Sequence, residues 1–157
     1  MKGANGLQAK QMMTTNLVTV TENATLQEII QLMLDKNISG IPVVDEKGEL
    51  KGVVSESDVL RLKRKLHMPD YMQLLETMLN NSHPEYFNAE VAKSLKMAVS
   101  DFMTRKLITI SADTSLAEIT RLMVEHGINR IPVVHDGKLV GIVTRRDAIR
   151  AMATAIE

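Results

Sequence analysis

Residues 13–62, MTTNLVTVTENATLQEIIQLMLDKNISGIPVVDEKGELKGVVSESDVLRL, return as residues 103–152, MTRKLITISADTSLAEITRLMVEHGINRIPVVHDGKLVGIVTRRDAIRAM, so one folding plan must serve both segments. The repeat distance is about 90 residues. Met13 matches Met103, Leu26 matches Leu116, Glu28 matches Glu118, and Ile41-Pro42-Val43-Val44 matches Ile131-Pro132-Val133-Val134. After a one-residue gap near Gly48 and Gly137, Gly52 falls on Gly141, Val54 on Val143, Ser55 on Thr144, Asp58 on Asp147 and Arg61 on Arg150. Such a duplication is expected to form two similar halves facing each other across a pseudo-two-fold axis, with paired clefts in which to look for function.

A chain of 157 residues holds one domain with its own core, or two small half-domains sharing one. Its 19 acidic and 19 basic side chains cancel, which removes any global drive toward nucleic acid or anionic membrane. The run Arg61, Lys63, Arg64, Lys65 reads as a solvated helix end whose cations complement the C-terminal dipole. Cysteine is absent, so disulfides, thiolate zinc sites and cysteine nucleophiles are excluded together. Tryptophan is also absent and other aromatics are few, leaving no aromatic platform for stacking single-stranded nucleic acid. The 11 methionines read as soft core fillers. No stretch approaches the ~20 apolar residues of a membrane span, and the first residues lack a signal peptide's apolar core, so a cytoplasmic location is expected.

Within one copy, Leu17, Val18 and Val20 around Thr19 predict a short strand, and Leu107, Ile108 and Ile110 around Thr109 repeat it. Thr25-x-x-Glu28 and Ser115-x-x-Glu118 are capping boxes that start helices. Leu26, Ile29, Ile30 and Met33 fall at helical spacing, as do Leu116, Ile119 and Met123. Ile41 to Val44 and Ile131 to Val134 are continuous apolar runs, as expected of strands covered on both faces. Asp45-Glu46-Lys47-Gly48 and His135-Asp136-Gly137 predict hairpin turns, with strands returning at 50–55 and 139–144 and closing helices at 57–66 and 146–152. The repeat is β-α-β-β-α, an α/β (α+β) fold.

Residues 63–101 belong to neither copy. Met72, Leu75, Met78 and Leu79 predict a helix over 70–80 behind Pro69, with Asn81-Ser82-His83-Pro84 breaking it. Val91, Leu95 and Val99 predict another over 88–100. The expected division is a first repeat with its lead-in at 1–62, a helical insertion at 63–101 and a second repeat at 102–157.

The β-α-β-β-α unit, with Ile-Pro-Val-Val after its first helix and Gly-Val-Val-Ser-Glu-Ser-Asp or Gly-Ile-Val-Thr-Arg-Arg-Asp after its hairpin, closely resembles a cystathionine-β-synthase-type (CBS) domain. The tandem resembles a Bateman module, with an insertion similar to that of stand-alone bacterial CBS pairs. In the first copy Gln11-Met12-Met13 stands where the second has Asp-Phe-Met.

The resemblance implies an adenine-nucleotide site in the cleft between paired repeats, with AMP, ADP or ATP as regulatory ligand. It makes Asp58 and Asp147 ribose anchors. A carboxylate is acceptor-only, which suits a vicinal diol, and each hydrogen bond to a charged group contributes about 1.5–3 kcal/mol. Ser55 and Thr144 would meet ribose or phosphate at a helix N-terminus. Val53 and Ile142 precede them on the strands and belong to the same implied sites. The resemblance places adenine against Thr19, Ile38 and Ser39 for the Asp147 site, and against Thr109, Ile128 and Asn129 for the Asp58 site. Arg130 sits where family members often hold phosphate, whereas its counterpart is Gly40, and Arg146 faces Ser57 in the alignment. The two sites should therefore differ. The family commonly pairs modules through helix faces, so a homodimer is expected, acting on a protein target the sequence does not name.

The same residues have plainer explanations. Ser55-x-x-Asp58 and Thr144-x-x-Asp147 are helix caps contributing ~1 kcal/mol each. Thr19 and Thr109 suit strands, and Arg130 suits a surface ion pair. His67, His83, His126 and His135 lack ligand spacing and read as solvated. Gly137 and Gly141 read as turn and strand-packing glycines, since no phosphate-cradling run exists. An enzyme using Asp58 or Asp147 as base lacks a second acid or oxyanion donor, so no catalysis is expected. A structural dimerisation module, or a sensor of S-adenosylmethionine or cyclic di-AMP, remains open.

Overall fold

Amphipathic helices placed beside short hairpins need a partner layer, and this chain supplies one to each copy. The computed structural model describes residues 6–66 and 89–154, so the helix expected over 70–80 lies outside the described residues. Two compact units result. One contains 20–43 and 51–105 and holds most of the first copy; the other contains 1–19, 44–50 and 106–157 and holds most of the second. They are called the first-copy and second-copy units below.

Helix α1 spans Ala9–Met12 and α2 spans Leu26–Asp35. At the start of α2 the predicted capping box is complete: the Thr25 hydroxyl accepts from Glu28 N–H at 3.3 Å while the Glu28 carboxylate accepts from Thr25 N–H at 2.7 Å. Leu26, Ile29, Ile30 and Met33 are all buried, as their spacing predicts. The helix stops at Asn37, which takes the left-handed φ of 51° and lets Ile38 N–H reach the Met33 carbonyl at 3.0 Å.

Strands β1 (Gly40–Val44) and β2 (Leu50–Ser55) form a two-stranded sheet, followed by α3 (Glu56–Leu66). The helix predicted over 88–100 is instead two pieces, α4 (Ala89–Leu95) and a 3₁₀ turn at Val99–Asp101. The break has a physical reason. Ala98 is extended and bridges Thr25, so the Met97 carbonyl accepts from Leu26 N–H at 2.9 Å and Val99 N–H donates to the Ala24 carbonyl at 2.7 Å. The orphan amide of the α2 N-terminus is thereby satisfied at the expense of a longer insertion helix.

The second copy repeats this order with α5 (Leu116–His126), β3 (Arg130–His135), β4 (Lys138–Thr144) and α6 (Arg145–Thr154). Its capping box is half made. Ser115 accepts from Glu118 N–H at 3.3 Å, but the Glu118 carboxylate turns to Arg121, which also pairs with Glu125. Gly127, at φ 61°, ends α5 where Asn37 ends α2. β3 pairs antiparallel with β4, and Asp136 and Gly137, both at positive φ, form the two-residue turn that Asp-Gly predicts.

The expected first strands reduce to one bridge residue each. Val20 pairs in parallel with Val43, and Ile110 with Val133. In each case the amide donates to a proline carbonyl, Pro42 or Pro132, at 3.1 Å. Proline offers that edge an oxygen but no N–H, which limits the ladder.

The lead-in of each copy is built into the unit that holds most of the other copy. Residues 7–14 pair with the second copy: Leu116 N–H donates to the Leu7 carbonyl at 2.8 Å, Ala9 N–H to the Thr114 carbonyl at 2.8 Å, and Thr14 bridges Ile142. Residues 97–104 do the same for the first copy, ending with Thr104 bridged to Val53. Each crossing has a methionine set on a glycine. An added Cβ would lie 2.5 Å from Met13 Sδ at Gly141 and 2.7 Å from Met103 Sδ at Gly52. Gly141 is thus the strand-packing glycine its position in the motif predicts.

Each unit has its own core. In the first-copy unit α2, β1 and β2 bury Ile29, Ile30, Ile41, Val43 and Val54 with Val59, Leu62, Val99 and Met103. In the second-copy unit Ile119, Met123, Ile131, Val133 and Val143 pack with Ala9, Ala148 and Ala151.

Candidate functional site

The motif aspartates lie in the first turns of α3 and α6, where a returning strand becomes a helix. Two of the bonds each makes are the predicted cap. Oδ2 of Asp58 accepts from the Ser55 amide at 2.8 Å and hydroxyl at 2.9 Å. Oδ2 of Asp147 accepts from the Thr144 amide at 2.8 Å and hydroxyl at 2.6 Å, and the Thr144 hydroxyl accepts in turn from Asp147 N–H at 3.3 Å. The capping explanation therefore describes one oxygen of each carboxylate.

The second oxygen distinguishes the copies. Asp58 is buried, 5% exposed, and its Oδ1 accepts from Arg61 Nη2 at 2.7 Å and from the Thr104 hydroxyl at 3.0 Å. Asp147 is 14% exposed, and its Oδ1 lies 4.0 Å from Arg150 Nη1, beyond hydrogen-bond reach. Among the described residues no hydrogen bond reaches that oxygen. Arg61 belongs to the basic run that the sequence marks as a solvated helix end; its guanidinium is largely exposed, yet one nitrogen serves Asp58 and another donates to the Ser57 carbonyl at 3.2 Å. Asp-x-x-Arg in both copies, an i,i+3 pair on a helix, was the signal for this contact. Thr104 carried no comparable signal, because it is 46 residues from Asp58.

Among the other candidates, Ser39 and Asn129 are tied by backbone bonds to the starts of the helices that carry the aspartates. The Ser39 carbonyl accepts from Glu56 N–H at 3.1 Å, which joins the turn after α2 to the start of α3. The Asn129 carbonyl accepts from Arg145 N–H at 2.8 Å and joins the turn after α5 to α6. Ile38 and Ile128 precede them and are half-buried, while Ser39 and Asn129 are exposed. Val53 is buried beneath the Thr104 bridge, and Ile142 is half-buried beside Thr14. Arg130 opens β3 and is half-buried, and Arg146 is exposed in the first turn of α6. Thr19 and Thr109 are exposed, each one residue before a bridge residue.

Among the described residues no cluster of histidine, aspartate and glutamate has the arrangement of a metal site, and no helix is long and apolar enough to cross a membrane. His135 lies on the surface 3.6 Å from Asp136.

Two hairpins, each with a capped helix before it and an Asp-bearing helix after it, define a tandem two-repeat architecture. The model of the CBS domain matches residues 9–65 and 99–154, and the chain belongs to the CBS domain family as a tandem pair with an α+β fold. It is 37% identical over 143 residues to MJ1426 of Methanocaldococcus jannaschii, covering 86% of this chain and 85% of that protein. It spans 42% of MJ1225 and 31% of MJ1404 of the same organism. Among solved structures it is similar to the CBS domain of a CBS domain containing membrane protein from Sphaerobacter thermophilus, with TM-score 0.75 and 34% identity over 94% of this chain and 89% of that one. It is also similar to CBSX2 of Arabidopsis thaliana, solved in complex with AMP, with TM-score 0.74 and 29% identity over 97% of this chain and 100% of that one.

Proposed function

We propose that this chain is a regulatory module that binds an adenine nucleotide of the AMP, ADP or ATP class and performs no catalysis of its own. The observation that carries the reading is the in-register pair Ser55-x-x-Asp58 and Thr144-x-x-Asp147, in which Asp147 keeps a carboxylate oxygen available beyond its cap. Similarity along nearly the whole chain to CBSX2, which was solved with AMP, supports the same ligand class. Asp147 serves as a ribose anchor, with Thr144 and the α6 N-terminus beside it and Arg146 and Arg130 as phosphate partners. Ligand that favours one conformation over another shifts the population and alters a partner-binding surface.

Homodimerisation is part of this proposal. Leu60 on α3 and Ile149 on α6 occupy equivalent positions and are both exposed, which leaves each motif helix an apolar residue for a second copy to cover.

Thermal unfolding with and without ligand tests the reading. AMP at about 100 times its dissociation constant should add ~2.7 kcal/mol of stability. Mass spectrometry of the native protein should find a retained adenine compound. If AMP, ADP, ATP, S-adenosylmethionine and cyclic di-AMP all leave the unfolding curve in place at millimolar concentration, the chain is better described as a structural dimerisation module.

A further inference from the structure

The two motif aspartates share a cap and differ in what else they hold. At Asp58 the four donors are the Ser55 amide, the Ser55 hydroxyl, Arg61 and Thr104. A carboxylate oxygen carries two lone pairs, so Oδ1 of Asp58 has no acceptor capacity left for a diol. At Asp147 the cap is the same, but the matching arginine stands off at 4.0 Å. Thr14, the counterpart of Thr104, makes its backbone bridge to Ile142 without a hydroxyl bond to the aspartate among those described. The residue types are identical in the two triads, Thr104-Asp58-Arg61 and Thr14-Asp147-Arg150. Geometry, not composition, makes one carboxylate closed and the other open.

Thr104 is a fixed competitor. Its amide donates to the Val53 carbonyl at 2.9 Å and its carbonyl accepts from Val53 N–H at 3.0 Å, so the backbone pair holds the hydroxyl in range of Asp58. Arg61 is tethered through its second contact to the Ser57 carbonyl. A ribose approaching Asp58 must displace at least one donor to a buried carboxylate, whereas a ribose approaching Asp147 displaces none of those described.

We propose that Thr104 and Arg61 stand at Asp58 in the positions a ribose diol would take, so that the chain loads adenine nucleotide first at Asp147 and reaches Asp58 only by displacing one of them. This rests on the nucleotide reading above and adds to it an order of loading and the residue that sets it.

Calorimetric titration of the full chain with AMP tests the order. The wild type should show one tight equivalent and a second step at least about tenfold weaker, the fold-change expected for one hydrogen bond to a charged group. Asp147→Asn should abolish the tight step. Thr104→Val preserves shape and removes the hydroxyl, and it should tighten the second step about tenfold, whereas Thr104→Ser should keep the wild-type pattern. Thr14→Val should leave the first step unchanged, because that hydroxyl holds no part of Asp147. Two equal steps in the wild type, or a second step that Thr104→Val does not move, overturn the loading order while leaving nucleotide binding in place. No heat from AMP with any of these proteins, combined with no melting shift from the other adenine compounds, overturns both.

Discussion

The two copies present nearly the same motif helix on different foundations. Beneath Asp58, α3 packs through Val59 and Leu62, and the crossing lead-in contributes Val99. At the matching places beneath Asp147, α6 packs through Ala148 and Ala151, and the lead-in contributes Ala9. Both copies carry Ser/Thr-x-x-Asp-x-x-Arg, while three matching core positions hold smaller side chains in the second-copy unit than in the first. Surface chemistry and core volume are therefore set separately in this duplication. The copy with larger side chains is also the one whose aspartate is closed over.

If the cores differ as described, the largest effect should come from making the first copy resemble the second. Leu62→Ala should cost about 2–5 kcal/mol in denaturant unfolding, since the cavity it leaves is lined by a packed core. A loss below ~1 kcal/mol would mean that α3 repacks freely and the contrast is superficial. Next comes the anchor. Asp147→Asn should weaken AMP by about tenfold to a hundredfold in calorimetry, corresponding to ~1.5–3 kcal/mol, and equal affinity would reduce Asp147 to a cap.

The glycines sharpen the comparison further. Gly52→Ala would bring a Cβ within 3.0 Å of the Thr104 carbonyl oxygen as well as against Met103, whereas at Gly141 the three nearest atoms all belong to the Met13 side chain. A methionine end can move and a backbone carbonyl cannot, so Gly52→Ala should cost about 1–3 kcal/mol and Gly141→Ala distinctly less. Comparison of the two melting temperatures checks the ranking, and a reversed order would contradict it.

The smallest effect is electrostatic. The Lys10 ammonium, bonded to Asp113 at 2.7 Å, holds that carboxyl below the usual range, and Arg121 does the same for Glu118. A depressed folded-state value means stability is present above the unfolded value near pH 4 and is lost as pH falls through the folded one. Lys10→Gln should therefore melt slightly below wild type at neutral pH, with the difference vanishing as pH falls through the lowered folded-state value of Asp113. A difference that persists in acid would assign Lys10 a packing role instead.

Much of the architecture was legible because local chemistry dictates it. Thr25 and Ser115 mark helix starts, Asp136-Gly137 a two-residue turn, and two apolar runs the strands β1 and β3. Other features depended on partners distant in the chain. The helix expected over 88–100 breaks because Met97 and Val99 serve α2, some seventy positions earlier, and no periodicity within the segment reports that demand. Met13-Thr14 and Met103-Thr104 fit either copy equally well by pattern, so the sequence was silent on which copy each would join. At the site, both aspartates and their caps were readable from the motif. The closure of Asp58 was not, since Thr14 and Arg150 offer the other copy the same groups.

The exchanged lead-ins also set a timetable for folding during synthesis. The first-copy unit draws on residues 20–43 and 51–105, so its components have all been made when the chain reaches Arg105. The second-copy unit needs residues 7–14 to meet helix α5 and strand β4, which are made long after them. Ribosomes add about 5–20 residues per second, so the early segment waits several seconds with its apolar Leu7, Met12 and Met13 unpaired. Until residues 97–104 are made, residues 7–14 are the single lead-in within reach of the nascent first copy, and a slow ribosome lengthens that time.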